Sequence, residues 1–246
     1  MPGSPLVKVI RPDWPVAANV RAFTTTRIGG YSSGPWGQLN LGGSCGDDRG
    51  HVRQNRDLLQ SLLPSPLRWL KQVHGNRVVN RNELDGTEIE ADAMTSQQAG
   101  HVCAILTADC LPVLFCNRNG TEVAASHAGW RGLAGGVLDA TVSAMDSAPA
   151  ELMAWLGPAI GPEIYEVGEE VYASFKTLDS ENSCAFKPRG DRWLADLYML
   201  ARLALARVGV EHVTGGDYCT YSEPEKFFSY RRDGVTGRMA SVIWLE

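Results

Sequence analysis

Cys110 and His127 are the residues of this chain whose types and spacing point most directly to chemistry. They end two apolar, β-rich runs, Cys110 to Cys116 and Thr121 to His127, that flank Asn117-Arg118-Asn119-Gly120. Asn-Gly is a strong hairpin dipeptide because tight hairpin turns need residues that tolerate positive φ. If the loop is the whole tetrapeptide, Cys110 lies opposite His127; if it is only Asn119-Gly120, Cys110 faces Gly129 and His127 faces Pro112. Strand side chains alternate with period two, so both registers keep the pair on one face, directly opposite at about 5 Å or diagonal at about 7–8 Å. A soft thiolate and an imidazole so placed could share a metal. Each has a plainer reading alone, as a buried small hydrophobe and as a polar strand end. Pro112 removes a ladder donor, which predicts an edge strand or a bulge there.

A third ligand is available in His74, which falls in a turn, His74-Gly75-Asn76, between apparent strands Arg68–Val73 and Arg77–Asn80. Two nitrogens and one sulfur leave one position open, the stoichiometry of catalytic zinc, where a bound water ionises near neutral pH and can attack an electrophilic carbon. The same donors form the trigonal part of a blue-copper site, and spacing alone does not choose between the metals.

The elements that must position these residues are legible from pattern. Val20 to Thr26 reads as a strand, followed by a loop from Arg27 to Asp48 with seven glycines, at 29, 30, 34, 37, 42, 43 and 46. Such a loop can approach a ligand closely, though it lacks the order of a P-loop. Asp47 or Asp48 can cap a helix to about Leu63. Residues 81–100 read as a polar loop containing Ala91-Asp92-Ala93, and His101 to Leu106 as a strand with Cys103 in the core. A helix is predicted from the His127-Ala128-Gly129-Trp130-Arg131-Gly132 junction to about Met145; its free N–H groups and Arg131 could hold a phosphate or carboxylate beside His127. Glu151–Leu156 reads as a strand, Gly157 to Pro162 as a rigid cleft-wall loop, 167–176 and 195–208 as helices, and Met239–Leu245 as a closing strand. The paired Arg231 and Arg232 either bind an anion or face solvent. No repeat or linker divides the chain, so residues 1–246 read as one domain.

Composition narrows the partners. A net charge of −5 without a basic run argues against nucleic acid. No apolar run approaches the roughly 20 residues of a spanning helix, and the N-terminal stretch lacks a signal-peptide core. A cytoplasmic protein acting on a small molecule is the expectation. Six cysteines without a CxxC pair read as free thiols rather than a zinc ribbon.

Six segments carry a resemblance: QVHG at 72–75, TADCLPVLF at 107–115, HAGWRG at 127–132, LGPAIGP at 156–162, YEVG at 165–168 and FFSYRRD at 227–233. They closely resemble the YfiH family, also called the laccase-domain or polyphenol oxidase family and described as purine nucleoside phosphorylases and as a peptidoglycan editing factor. The resemblance runs from about Thr24 to the C-terminus. It implies an α+β fold, a layered sandwich of mixed β-sheets flanked by helices, with zinc on His74, Cys110 and His127. The implied chemistry is phosphorolysis of adenosine, inosine and methylthioadenosine, together with adenosine deamination. On that reading Arg131 holds phosphate, Arg27 and Asn40 contact ribose or phosphate, and Asp109 carries a proton or anchors its turn. Family members often carry Cys before the Tyr-Glu-Val-Gly stretch; Ile164 stands there here, which excludes a catalytic thiol at that position.

Three other readings compete. A copper-loaded site could oxidise phenols as a side activity, although five histidines are too few for a multicopper laccase. Cys110 as nucleophile with His127 as base would make a hydrolase suited to editing peptidoglycan precursors. A zinc-stabilised binding protein for a nucleotide-linked precursor would have no turnover at all. Monomer and homodimer are both compatible with the sequence.

Overall fold

A computed structural model describes residues 6–83 and 89–246. Its first half contains β1 (Val9–Ile10), β2 (Val20–Thr25), α1 (Arg49–Gln60), β3 (Val78–Asn80), β4 (Ala93–Ser96), β5 (Cys103–Thr107), β6 (Leu111–Asn117) and β7 (Val123–Ala128). Then follow α2 (Trp130–Ala134), α3 (Val137–Ser143), β8 (Leu152–Leu156), β9 (Glu166–Val167), α4 (Glu169–Leu178), β10 (Phe186–Arg189) and β11 (Arg192–Ala195). The chain closes with α5 (Leu197–Arg207), β12 (His212–Gly215), α6 (Tyr230–Asp233) and β13 (Met239–Leu245).

Two sheets dominate. A mixed sheet has the order β12-β8-β6-β7-β4-β3, with parallel pairs only at its two edges. An antiparallel sheet has the order β1-β2-β13-β5. Strand β6 is buried along its whole length because both its faces are covered. Leu111, Val113 and Phe115 pack toward Leu138, Leu200 and Leu205 of the helices, while Leu114 and Cys116 meet Ile105 and Ile243 of the second sheet. The outer face of that second sheet, with Phe23, Val242 and Trp244, packs on Leu59 of α1. The layers are therefore helix, sheet, sheet, helix, one α+β domain as the resemblance implied. A small β10-β11-β9 sheet beside α4 adds a stacked Tyr172–Trp193 pair. No helix among the described residues is long and apolar enough to cross a membrane.

Several expectations need correction. The helix after the hairpin is two helices, because Gly136 adopts φ 78 and breaks it, and His127 itself lies within β7. Among the described residues, the run 68–73 forms no strand and makes only the isolated bridge Lys71↔Glu90. The supposed loop 81–100 contains β4, paired with β7 and β3; its residues 84–88 lie outside the described residues. Pro112 sits in a central strand without a bulge: its carbonyl accepts from Gly157 N–H at 2.9 Å, just past the last β6–β8 pair, Val113↔Leu156. The missing N–H thus falls where that ladder has ended. The hairpin takes the register centred on Asn119-Gly120, with Pro112↔His127 and Leu111↔Ala128.

Candidate metal centre

Three residues, Ala108-Asp109-Cys110, carry the chain from β5 in one sheet to β6 in the other. So short a crossing needs a sharp corner, and Asp109 supplies it with φ 85. Asp tolerates this left-handed region better than most residues, but the conformation still has to be held. Its Oδ1 accepts from Thr220 Oγ1 at 2.6 Å, its Oδ2 from Arg231 N–H at 2.7 Å and its carbonyl from Ile160 N–H at 3.0 Å. With both carboxylate oxygens engaged, Asp109 anchors the corner that presents Cys110.

His74 is presented differently. Gln72 mimics strand pairing, its Nε2 donating to Leu106 O at 2.8 Å and its Oε1 accepting from Leu106 N–H at 2.7 Å. The next three N–H groups, of Val73, His74 and Gly75, all donate to the Asp92 carboxylate at 3.1, 2.9 and 2.8 Å. This anion nest bends the backbone, and His74 takes φ 61. The same carboxylate meets His127 Nδ1 at 2.8 Å, and Asp92 O accepts from His127 N–H at 2.7 Å. Asp92 is fully buried. Burial would raise its pKa, but the bonds from His127 and the nest outweigh that and keep it ionised. An ionised carboxylate only accepts, so His127 Nδ1 carries the proton and Nε2 is left to bind.

The ligand atoms of His74, Cys110 and His127 lie within 4.8 Å of one another. The imidazoles meet edge to face, centroids 4.8 Å apart at 72°. Gly129 lies across from Cys110, and a Cβ there would come 2.8 Å from Cys110 Sγ. Burial would push the Cys110 thiol up, but the His127 charge and hydrogen bonds from both imidazoles bring it down to about 6. For His127 burial would act downward, but the thiolate and Asp92 lift it to about 9. A thiolate at neutral pH, an Nε2 aimed by a carboxylate behind it and an exposed His74 suit a zinc ion with one open side.

These residues lie in a cleft of about 680 Å³, walled also by the Gly42–Cys45 loop, Arg56, Trp69, Lys71, Tyr230 and Arg238. The glycine-rich loop does reach the site. Asn40 does so only indirectly: it is fully buried, its Nδ2 donating to Asp47 Oδ2 at 2.9 Å and its Oδ1 accepting from Gly42 and Arg238 N–H, each at 2.9 Å. Arg27 is occupied with Gly37 O and Pro224 O, both at 2.9 Å, over the Phe228 ring and away from the cleft lining. Arg131 is exposed on α2, its guanidinium 4.3 Å from the Trp130 ring centroid, and does not line the cleft. The Gly157–Pro162 loop braces Asp109 and contributes Gly161 and Pro162 to a separate hollow of about 330 Å³. Of the paired arginines, Arg231 donates to Glu166 O at 2.7 Å and Arg232 to Thr220, Tyr221 and Phe227 carbonyls, so both are structural ties. Ile164 packs against the helix-side core. Sequence reading missed Asp92 and Arg238; a charged residue between two alanines was the available signal for the first.

Comparison with known proteins places this geometry among relatives. Residues 21–246 match the family model described as multi-copper polyphenol oxidoreductase laccase. A protein of Escherichia coli (strain K12) named purine nucleoside phosphorylase YfiH is 56% identical over 240 residues, covering 97% of this chain and 99% of the relative. The crystal structure of Neisseria meningitidis protein NMB0706 superposes with a TM-score of 0.95 at 51% identity, covering 97% of this chain and 99% of that one. YlmD from Geobacillus stearothermophilus gives a TM-score of 0.89 at 34% identity, with 97% and 96% covered.

Proposed function

The chain belongs to the multi-copper polyphenol oxidoreductase laccase family, and on that premise we propose that it is a zinc-dependent purine nucleoside phosphorylase that also deaminates adenosine. The observation that carries this reading is the His74–Cys110–His127 cluster, backed by Asp92, in a cleft sized for a small molecule. The substrates are adenosine, inosine and methylthioadenosine, each split to free base and sugar 1-phosphate. A zinc ion held by the cluster would supply Lewis acidity and activate water near neutral pH, which is what deamination at a purine carbon requires. The chain's own residues do the rest. Asp92 fixes the His127 tautomer and ring direction, and Cys110 is presented as a thiolate by the strained Asp109 corner. Tyr230, 61% exposed at the cleft, offers an aromatic face to a planar base. A reducing cytoplasm would keep the thiol free, in keeping with six unpaired cysteines. The names of the relatives support the phosphorylase assignment.

The test is metal analysis joined to a product assay. About one zinc per chain, with adenine and ribose 1-phosphate or inosine formed from adenosine plus phosphate and lost on chelation, is the expected result. Full phosphorolysis by metal-free Cys110→Ala protein would overturn the reading. Turnover of peptide-bearing precursors by metal-free protein, blocked by alkylating Cys110, would replace it with the thiol hydrolase.

A further inference from the structure

The cleft has a second chemically distinct wall. In a chain of net charge −5, the described residues lining it include Arg56, Arg238 and Lys71, the last paired with Glu90 at 2.8 Å, and no Asp or Glu. Two of these cations grip one loop. Arg56 Nε donates to Leu41 O at 3.0 Å, and Leu41 N–H donates to Arg238 O at 3.1 Å. A Cβ at Gly42 would come 2.7 Å from Arg238 Cγ, and one at Gly43 3.3 Å from Arg56 Nη2. The paired glycines therefore let two arginine side chains close on the backbone, and buried Asn40 locks loop and Arg238 together through one carbonyl oxygen.

Arg238 Nη1 donates to Thr236 O and Gly237 O at 3.1 and 2.9 Å, leaving Nε and Nη2 without a protein acceptor among the described residues. Beside it in the ladder is Thr107, whose cross-strand partner is Met239. Thr107 lines the cleft, is 2% exposed, and its Oγ1 has no hydrogen-bond partner among the described residues. A buried hydroxyl left unpaired is costly, and a turn of the Thr107 side chain toward an acceptor bound in the cleft would relieve it. The Arg238 fork, the bare Gly42-Gly43 backbone and an unpaired hydroxyl together match a tetrahedral oxyanion.

We propose that the wall formed by the Gly42–Cys45 loop, Arg56, Thr107 and Arg238 is the subsite for inorganic phosphate, the co-substrate of phosphorolysis. The assignment rests on the phosphorylase reading and moves the phosphate away from Arg131. A phosphate oxygen bonds to the anomeric carbon as the glycosidic C–N bond breaks. The electron pair leaves with the purine, which takes the proton of hydrogen phosphate, so charge and atoms balance.

Calorimetric titration of the zinc-loaded protein with inorganic phosphate, run beside steady-state kinetics, tests this. Arg238→Ala should weaken phosphate binding and raise KM for phosphate by about tenfold or more, with zinc per chain unchanged, and Arg238→Lys should recover part of the loss. Thr107→Val, nearly isosteric, should raise the same KM by about threefold to tenfold. If nucleosides are cleaved with phosphate but both variants keep the wild-type KM for it, the subsite is overturned while the phosphorylase reading stands; a rise in Arg131→Ala instead would assign phosphate to α2. If phosphate binds, is lost in Arg238→Ala, and no nucleoside is cleaved, an oxyanion subsite stands and the phosphorylase reading falls. Weakening of a nucleoside 5′-monophosphate alone in Arg238→Ala, with free phosphate unaffected, would overturn the assignment to inorganic phosphate.

Discussion

Cys110 at the head of β6 and Cys116 near its foot stand on the same face of one hairpin, yet their thiols are driven in opposite directions. Burial pushes Cys116 up to about 12, among Leu114, Val123 and Met153. Burial acts the same way on Cys110, but two imidazoles within ligand distance reverse it and bring that thiol down to about 6. The hairpin positions both; what lies across from each decides its chemistry. At the foot the turn is closed locally, by an Asn117 side chain accepting from Thr121 N–H at 2.8 Å and a Gly120 at φ 64, and the residues around Cys116 are apolar. At the head the neighbours come from far along the chain, His74, Asp92 and Thr220.

The sharpest way to break this contrast is to titrate the thiols in protein stripped of metal by chelation. A depressed pKa means the reactive thiolate persists as pH falls, so Cys110 alkylation should lose half its maximal rate only near pH 6. At pH 7 Cys110 should be alkylated at least about a hundred times faster than the buried Cys116, read by mass spectrometry of alkylated peptides. Equal reactivity would mean that the imidazoles do not face Cys110. Next in size, Cys110→Ser should drop zinc from about one per chain to nearly none, whereas Cys116→Ala should keep the metal and cost about 1–2 kcal/mol in denaturant unfolding. Asp92→Asn removes charge but little volume. It should weaken zinc affinity about 10–100-fold through His127, and destabilise the fold by about 3–5 kcal/mol because a buried charged partner is lost. Unchanged affinity with reduced stability would make Asp92 a structural tie only.

What could be read from the chain follows the same division. The hairpin, the closing strand and the capped helix α1 rest on local signals: an Asn-Gly turn, a run apolar but for Ser241, and Asp48 accepting from His51 N–H at 3.0 Å. The three ligands were legible because their residue types are rare and chemically specific. Asp92 was not, because an aspartate between alanines has no local mark of the four donors that converge on it from 73–75 and 127. Strand β4 was hidden by its composition, Ala-Met-Thr-Ser, which becomes a buried strand only because β7 and β3 flank it. Arg131 looked like the anion holder because it follows His127 at a helix start; it is exposed on the five-residue α2, over the Trp130 ring and outside the cleft lining.

The smallest effect separates the two ends most cleanly, since one methyl group is added at each. At the foot, Gly120→Ala forces a side chain into φ 64 and sets Cβ 2.3 Å from Asn19 Oδ1 and 2.6 Å from Ala17 Cβ. That should cost about 1–3 kcal/mol of stability and leave zinc affinity alone. At the head, Gly129 has φ −65, which any residue adopts, so Ala brings no backbone strain. Its Cβ instead meets Cys110 Sγ at 2.8 Å and His74 Cδ2 at 3.4 Å. The Cys110 thiolate must shift by a few tenths of an ångström while His74 stays in ordinary contact, so zinc affinity should fall about threefold to tenfold with a smaller change in unfolding midpoint. Competition with a zinc chelator measures the first quantity and thermal unfolding of the same samples the second. The two substitutions must then trade places in rank between the two assays. If Gly129→Ala lost only stability, the close packing of Gly129 on the thiolate would be a feature of the fold and not of the metal centre.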